Sequence, residues 1–317
     1  MTLAQPRQHS LLVRGEGNRR TRVGRRSLSQ RLYVPLMLTP AVGVLAVLYL
    51  GALAIAGLQS FGYAPLYGIN KFPTLEYYRQ LFQTPDFWWS LFYTFYYAVV
   101  PTVTAAALGT YLALCLHRRF QGKKLFQLVY KLPLMVPYLV GIGLASVLFS
   151  GGGIFARAAY ALGLIRSTGD FPRLLNSHSG WGIMWVYVWK QTPFMAMVIF
   201  SVLLGIGRDT EEAALMLGAN RRQVFWNVTL PQIMPGIVSA SLIVFAFNFG
   251  SFEAPILLGA GYPNTLPVEA WRAFDDPDYA RRLSSMAIVT FVALVSSAVL
   301  FAYITLYRRF ERRRGRV

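Results

Sequence analysis

Six apolar runs dominate the chain, and each is long enough to cross a hydrocarbon layer as a helix. A helix rises 1.5 Å per residue, so about 20 apolar residues span a core of about 30 Å. The runs fall at roughly 34–58, 87–115, 127–149, 181–205, 233–258 and 284–306. Prolines 40, 101, 133, 137, 193 and 235 lie inside or at the ends of these runs. Membrane helices tolerate proline where neighbours satisfy the freed carbonyls. The pattern therefore predicts an all-α membrane protein of six transmembrane helices.

The charge supports this reading. Of 317 residues only 14% are charged, yet the formal net charge is +18. Lys and Arg do not form a face suited to nucleic acid; they cluster between the apolar runs. The N-terminal tail, the segments after runs two and four, and the C-terminal tail together hold 21 of them, against 8 in the three alternate segments. The positive-inside bias predicts both termini in the cytoplasm, in agreement with an even number of spans. The expected organisation is a basic, disordered cytoplasmic tail (1–31), a transmembrane domain (32–306) and a second basic tail (307–317).

Near the N-terminus, "RRSLSQ" (Arg25 to Gln30) resembles a twin-arginine export signal. The apolar run from Tyr33 to Leu58 is much longer than the 7–15 residues of a cleavable signal core, so it reads as a retained span. Cys115 is the single cysteine and lies in an apolar run, where it reads as a small buried side chain. No His/Cys cluster suggests a metal site. Of the segments assigned to the outside, the one after run three is expected to hold a short helix near Phe155–Leu164.

One segment breaks the apolar pattern on the cytoplasmic side: "EEAALMLGANRRQVFWNVTLP", residues 211–231. Asp209 and Glu212 are spaced as a capping pair, followed by helix-forming residues. Gly218 can end that helix in a left-handed conformation. Asn220 and Gln223 form a second capping pair, opening a helix over about 221–228 with Val224, Phe225 and Val228 on one side. Leu230 and Pro231 are expected to stop it. By pattern alone this is either an amphipathic connector lying on lipid or a docking element.

The same residues resemble the EAA loop of binding-protein-dependent ABC importer permeases. Glu212-Ala213-Ala214, Gly218, Val228 and Leu230-Pro231 match that signature without a gap over 20 residues. The resemblance extends to most of the membrane part, for example "LPLMVPYLVGIGLASVLF". It implies the type I importer permease fold in the cytoplasmic (inner) membrane. It also implies that the loop seats in a groove of a cytoplasmic ATPase, with Glu212 meeting a basic residue there and Gly218 as the elbow. The implied partners are an ATPase dimer, a second permease subunit, expected to be a paralogue, and an extracytoplasmic solute-binding protein.

ATP and Mg are expected on the partner ATPase. A phosphate-binding loop would read G-x-x-x-x-G-K-[ST], and the nearest stretch, "QGKK" (Gln121–Lys124), lacks its first glycine and its Ser/Thr. No nucleophile–base pair suggests that the chain is itself an enzyme.

Ionisable and amide groups inside spans are candidates for the solute pathway because lipid burial is costly. Glu253 and Asn248 in run five and Lys190 in run four are the candidates. The long stem of Lys190 can instead snorkel, as can that of Lys131 in run three. The acids Asp275, Asp276 and Asp278 read as a solvated outer loop. "FGSFEAPILLGAGYPNTLP" resembles spermidine/putrescine-type permeases, whereas "GGGIFARAAYALGLI" resembles sugar-type ones. A polyamine-like or other small organic solute is therefore expected, with sugar-type import as the alternative. A gradient-driven transporter would need no ATPase dock and would more often show inverted repeats.

Overall fold

The computed structural model describes residues 28–118, 120–207 and 209–314. Among these, six helices are long and apolar enough to cross a membrane, starting at Met37, Pro85, Tyr138, Trp181, Arg221 and Tyr279. The chain divides between Ala52 and Leu53 into two units. The expected tail 1–31 lies mostly outside the described residues.

The elements in chain order are α1 (Leu28–Ser60), α2 (Glu76–Gln83), α3 (Pro85–His117), α4 (Lys123–Val129), α5 (Leu132–Met135), α6 (Tyr138–Phe149) and α7 (Ile154–Ala161). They continue with α8 (Trp181–Ile206), α9 (Asp209–Met216), α10 (Arg221–Val224), α11 (Leu230–Gly250), α12 (Glu253–Leu258), α13 (Leu266–Phe274) and α14 (Tyr279–Arg314). One two-stranded pairing, Tyr63–Ala64 with Ile69–Asn70, closes a turn between α1 and α2.

The core of the larger unit is α3 against α8, with α11 packed on both. Small side chains explain this pairing. Ala105, Gly109 and Ala113 follow one another at four-residue steps on α3, and both alanines are fully buried. A Cβ on Gly109 would lie 2.5 Å from the Met195 Cβ and 3.0 Å from the Ala196 backbone nitrogen. The two backbones therefore meet directly, as small-residue stripes allow in lipid, where water does not drive helices together. Ala105 packs with Met195, Ala240 and Val244, and Ala113 with Ile199, Leu203 and Ile233.

One polar layer crosses this core. Asn248 on α11 donates to Gln191 Oε1 on α8 at 3.1 Å and to Thr102 Oγ1 on α3 at 3.3 Å. Gln191 donates back to Asn248 Oδ1. All three residues are buried, so each amide is satisfied by another helix rather than by water.

Two expected spans and one expected side-chain position need correction. Run three, expected as one span over 127–149, is broken into α4, α5 and α6. Pro137 lacks an N–H and drives Val136 into an extended conformation (ψ 127°), which ends α5. The third membrane candidate is instead Tyr138–Ala161. Run five, expected over 233–258, ends at Gly250. Ser251 is extended, and Pro255 cannot return a hydrogen bond to the Ser251 carbonyl, so α12 starts afresh at Glu253. Lys190 does not snorkel. Its ammonium donates to the carbonyls of Pro133, at 2.8 Å, and of Val136, the groups exposed by the break in run three.

The short helix expected near Phe155–Leu164 is α7. The last helix continues past the expected boundary at 306, and the first begins at Leu28, inside the expected tail. Asp276 forms an exposed ion pair with Arg281 at 2.8 Å. The Asp278 N–H, and then Arg281, hold the Asp276 carboxyl below its ordinary range. Such a surface pair adds little stability.

Gly109→Ala forces the α3 and α8 backbones apart and is expected to cost about 1–3 kcal/mol, as overpacked cores do. Gly143→Ala on α6, where a Cβ meets nothing within 4 Å, serves as the control. Thermal unfolding of the detergent-solubilised chain checks this: the first variant melts several degrees lower, and the second melts with the parent.

Candidate functional site

The site is built from α9, a glycine elbow and α10. Glu211, Glu212 and Asp209 fill the first turn of α9, where carboxylates oppose the positive end of the helix dipole. Asp209 is already the first residue of this helix, rather than a cap standing before it. Gly218 ends it at φ +86°. The Ala219 N–H donates to the Ala214 carbonyl at 3.1 Å and the Gly218 N–H to the Leu215 carbonyl at 3.0 Å. These two bonds make a Schellman motif, and its left-handed residue is the one glycine tolerates without strain. A Cβ at Gly218 would meet nothing within 4 Å, so the backbone conformation alone sets the requirement.

The second capping pair forms as the spacing predicts. The Gln223 N–H donates to Asn220 Oδ1 at 2.9 Å, and the Asn220 N–H donates to Gln223 Oε1 at 2.8 Å. Val224 is buried, Phe225 and Val228 are half-buried, and Trp226 and Asn227 are exposed, as one apolar side requires.

Leu230 and Pro231 do not stop the helix. Phe225–Thr229 forms a π-turn that runs straight into α11, with the Leu230 N–H donating to the Phe225 carbonyl five residues back. The wider turn makes room for Pro231, whose ring would otherwise crowd the carbonyl four residues before it. The loop and the long helix are thus one continuous rod from Arg221 to Gly250.

A cleft of about 520 Å³ separates α9 and the rod from the end of α3. Glu211, Glu212 and Leu215 line one wall, Arg221 and Phe225 another, and His117 and Arg118 a third. Glu212 and Ala213 are exposed and Ala214 is half-buried, while Met216 and Leu217 are each 89% exposed. Val228, Leu230 and Pro231 are half-buried at the base. The outward side of the elbow is therefore a small apolar knob flanked by a carboxylate.

The adjacent acids have different surroundings. Glu211 is half-buried, and its Oε1 accepts a hydrogen bond from the buried Thr229 hydroxyl at 2.7 Å. No local pattern in the sequence marks the pair, because Thr229 lies 18 residues from Glu211.

Asn248 and Glu253 lie elsewhere. Asn248 is in the buried amide layer, about 27 Å along the helix from Leu230 at 1.5 Å per residue. Glu253 is half-buried as the first residue of α12, at the break that follows α11. A separate cleft of about 210 Å³ is bounded by Tyr138, Lys190, Gln191 and Phe194 on one side and Ile243, Val244 and Phe247 on the other. Among the described residues, no group of three or more His, Cys, Asp or Glu could hold a metal ion.

Residues 105–316 match the family described as binding-protein-dependent transport system inner membrane component. A probable ABC transporter permease of Sinorhizobium fredii is 31% identical over 231 residues, covering 71% of this chain and 74% of the relative. The molybdenum transport system permease of Mycobacterium tuberculosis is 30% identical over 248 residues, covering 76% and 89%. The trehalose/maltose transport system permease of Thermococcus litoralis is 25% identical over 245 residues, covering 76% and 82%. The fold matches a bacterial ABC transporter involved in import of the acidic polysaccharide alginate, with a TM-score of 0.73 at 21% identity over 89% of this chain and 96% of that one. The chain belongs to the family of inner-membrane components of binding-protein-dependent transport systems and is a multi-pass membrane permease of the ABC importer type.

Proposed function

We propose that this permease couples to a separate cytoplasmic ATPase through residues 209–231, and that α9 and its elbow seat in a groove of that subunit. The observation that carries the reading is the exposed knob at Met216 and Leu217 beside the exposed carboxylate of Glu212. A helix lying on lipid would gain nothing from an exposed carboxylate on its contact side. A protein groove with a basic residue gains from all three side chains. Ala213 and Ala214 leave room for close approach, Gly218 fixes the elbow, and Val228, Leu230 and Pro231 join the loop to the membrane helix.

The count of Lys and Arg between spans orients the loop and both termini towards the cytoplasm. ATP and Mg then belong to the ATPase pair below. A second permease, read as a paralogue, completes the pathway, and a solute-binding protein delivers from the opposite side. That last partner is supported by the similar alginate transporter, which has been crystallised with a pentasaccharide-bound periplasmic protein.

For the solute, the sequence resemblance to polyamine-type permeases now carries less weight than the sugar-type alternative. Two of the relatives named above carry trehalose/maltose and molybdenum transport in their names. Those names favour a polyhydroxylated or oxyanionic solute over a polycation. Glu253 and Asn248 stay in the proposal as pathway residues, Glu253 at the helix break and Asn248 through the amide layer that joins α3, α8 and α11.

Glu212→Ala should remove the ATPase from the detergent-purified assembly, or weaken it at least tenfold, and abolish solute uptake while the chain still inserts. Gly218→Pro should do the same, since proline cannot adopt φ +86°. Full uptake in vesicles carrying either variant would contradict the docking reading. The solute class is checked by thermal shift of the accompanying binding protein against sugars, oxyanions and polyamines; stabilisation by polyamines alone would restore the earlier expectation.

A further inference from the structure

We infer that Glu211 and Thr229 form a transmission latch that makes the docking helix move as one body with α11; this rests on the docking reading above. Gly218 is the turning point of the loop. The two Schellman bonds there close the end of α9, but neither reaches the rod that begins at Arg221. A loop free to turn there would absorb a push from the ATPase instead of passing it on. The Glu211 carboxylate removes that freedom by reaching across the elbow to the Thr229 hydroxyl at 2.7 Å.

The placement of Thr229 suits the task. It is 4% exposed and is the last residue of the π-turn, immediately before α11. Its hydroxyl must donate, because an ionised carboxylate can only accept. A hydrogen bond to a charged group is among the stronger non-covalent links available to a loop. The paired acids thus divide the work: Glu212 is exposed and open to the partner, and Glu211 is half-buried and bonded to the rod. The rod carries Asn248, and through it Thr102 and Gln191. A displacement at α9 therefore reaches the amide layer of the core. Glu211 and Thr229 are positioning residues and touch no solute.

The test uses the complete importer in proteoliposomes, with binding protein and ATPase. Three quantities are read: ATPase retained on purification, ATP hydrolysed, and solute moved. Thr229→Val keeps the shape and removes the donor; Glu211→Ala removes the acceptor from the exposed side and covers the case in which the buried variant fails to fold. Both are expected to retain the ATPase and to spend at least about fivefold more ATP per solute. Thr229→Ser and Glu211→Gln keep a donor and an acceptor and are expected within about twofold of the parent. A parental ratio in Thr229→Val or Glu211→Ala overturns the latch and leaves docking standing. Loss of the ATPase from Glu211→Ala also overturns it, since Glu211 would then be a docking residue. Parental retention and coupling in Glu212→Ala would overturn docking itself, and the latch with it.

Discussion

Lipid offers no hydrogen bonds to a peptide group, so every interruption of a membrane helix must be answered from within the protein. This requirement organises the structure. Pro133 and Pro137 break the third run, and the Lys190 ammonium takes the Pro133 and Val136 carbonyls. Pro231 would strain an α-helix at the start of the fifth, and a π-turn widens the backbone to receive it. Asn248 brings an amide into the core, and Gln191 and Thr102 satisfy it. Each answer comes from a different helix or a different turn, and these ties hold the bundle in one arrangement.

Between those ties the packing is close. The Ala105–Gly109–Ala113 stripe lets α3 and α8 meet backbone to backbone, and α11 fits against both. The continuous helix from Arg221 to Gly250 runs from the loop to the polar layer of this core. A continuous helix with one end in a docking loop and the other among buried amides is suited to carrying mechanical work. The glycine elbow separates α9 from the rod, and the Glu211–Thr229 bond spans it.

Much of this was legible from residues alone. Apolar runs of 20 or more residues admit few solutions in water or lipid, so six helices followed directly. The Asn220–Gln223 capping box and the Gly218 elbow are local chemistry, set by neighbours three or four residues away, and both form as read. The failures share one cause. Whether Pro133 and Pro137 kink a helix or break it depends on Lys190, more than fifty positions downstream. Whether Pro231 ends a helix or sits inside one depends on a π-turn that no composition marks. Glu211 looked like half of an ordinary acidic pair because its partner Thr229 lies across the elbow. Tertiary partners decided each case, and a single sequence gives no register for them.

The central claim is that the exposed elbow meets a protein and not the lipid surface. It is tested most directly by placing a photo-crosslinking amino acid at Leu217, which is 89% exposed, and irradiating native membranes. The account predicts one dominant crosslink, to an ATP-binding subunit, which disappears when Glu212→Ala is added. Crosslinks to lipid alone, unchanged by Glu212→Ala, would contradict it and make the segment an interfacial connector.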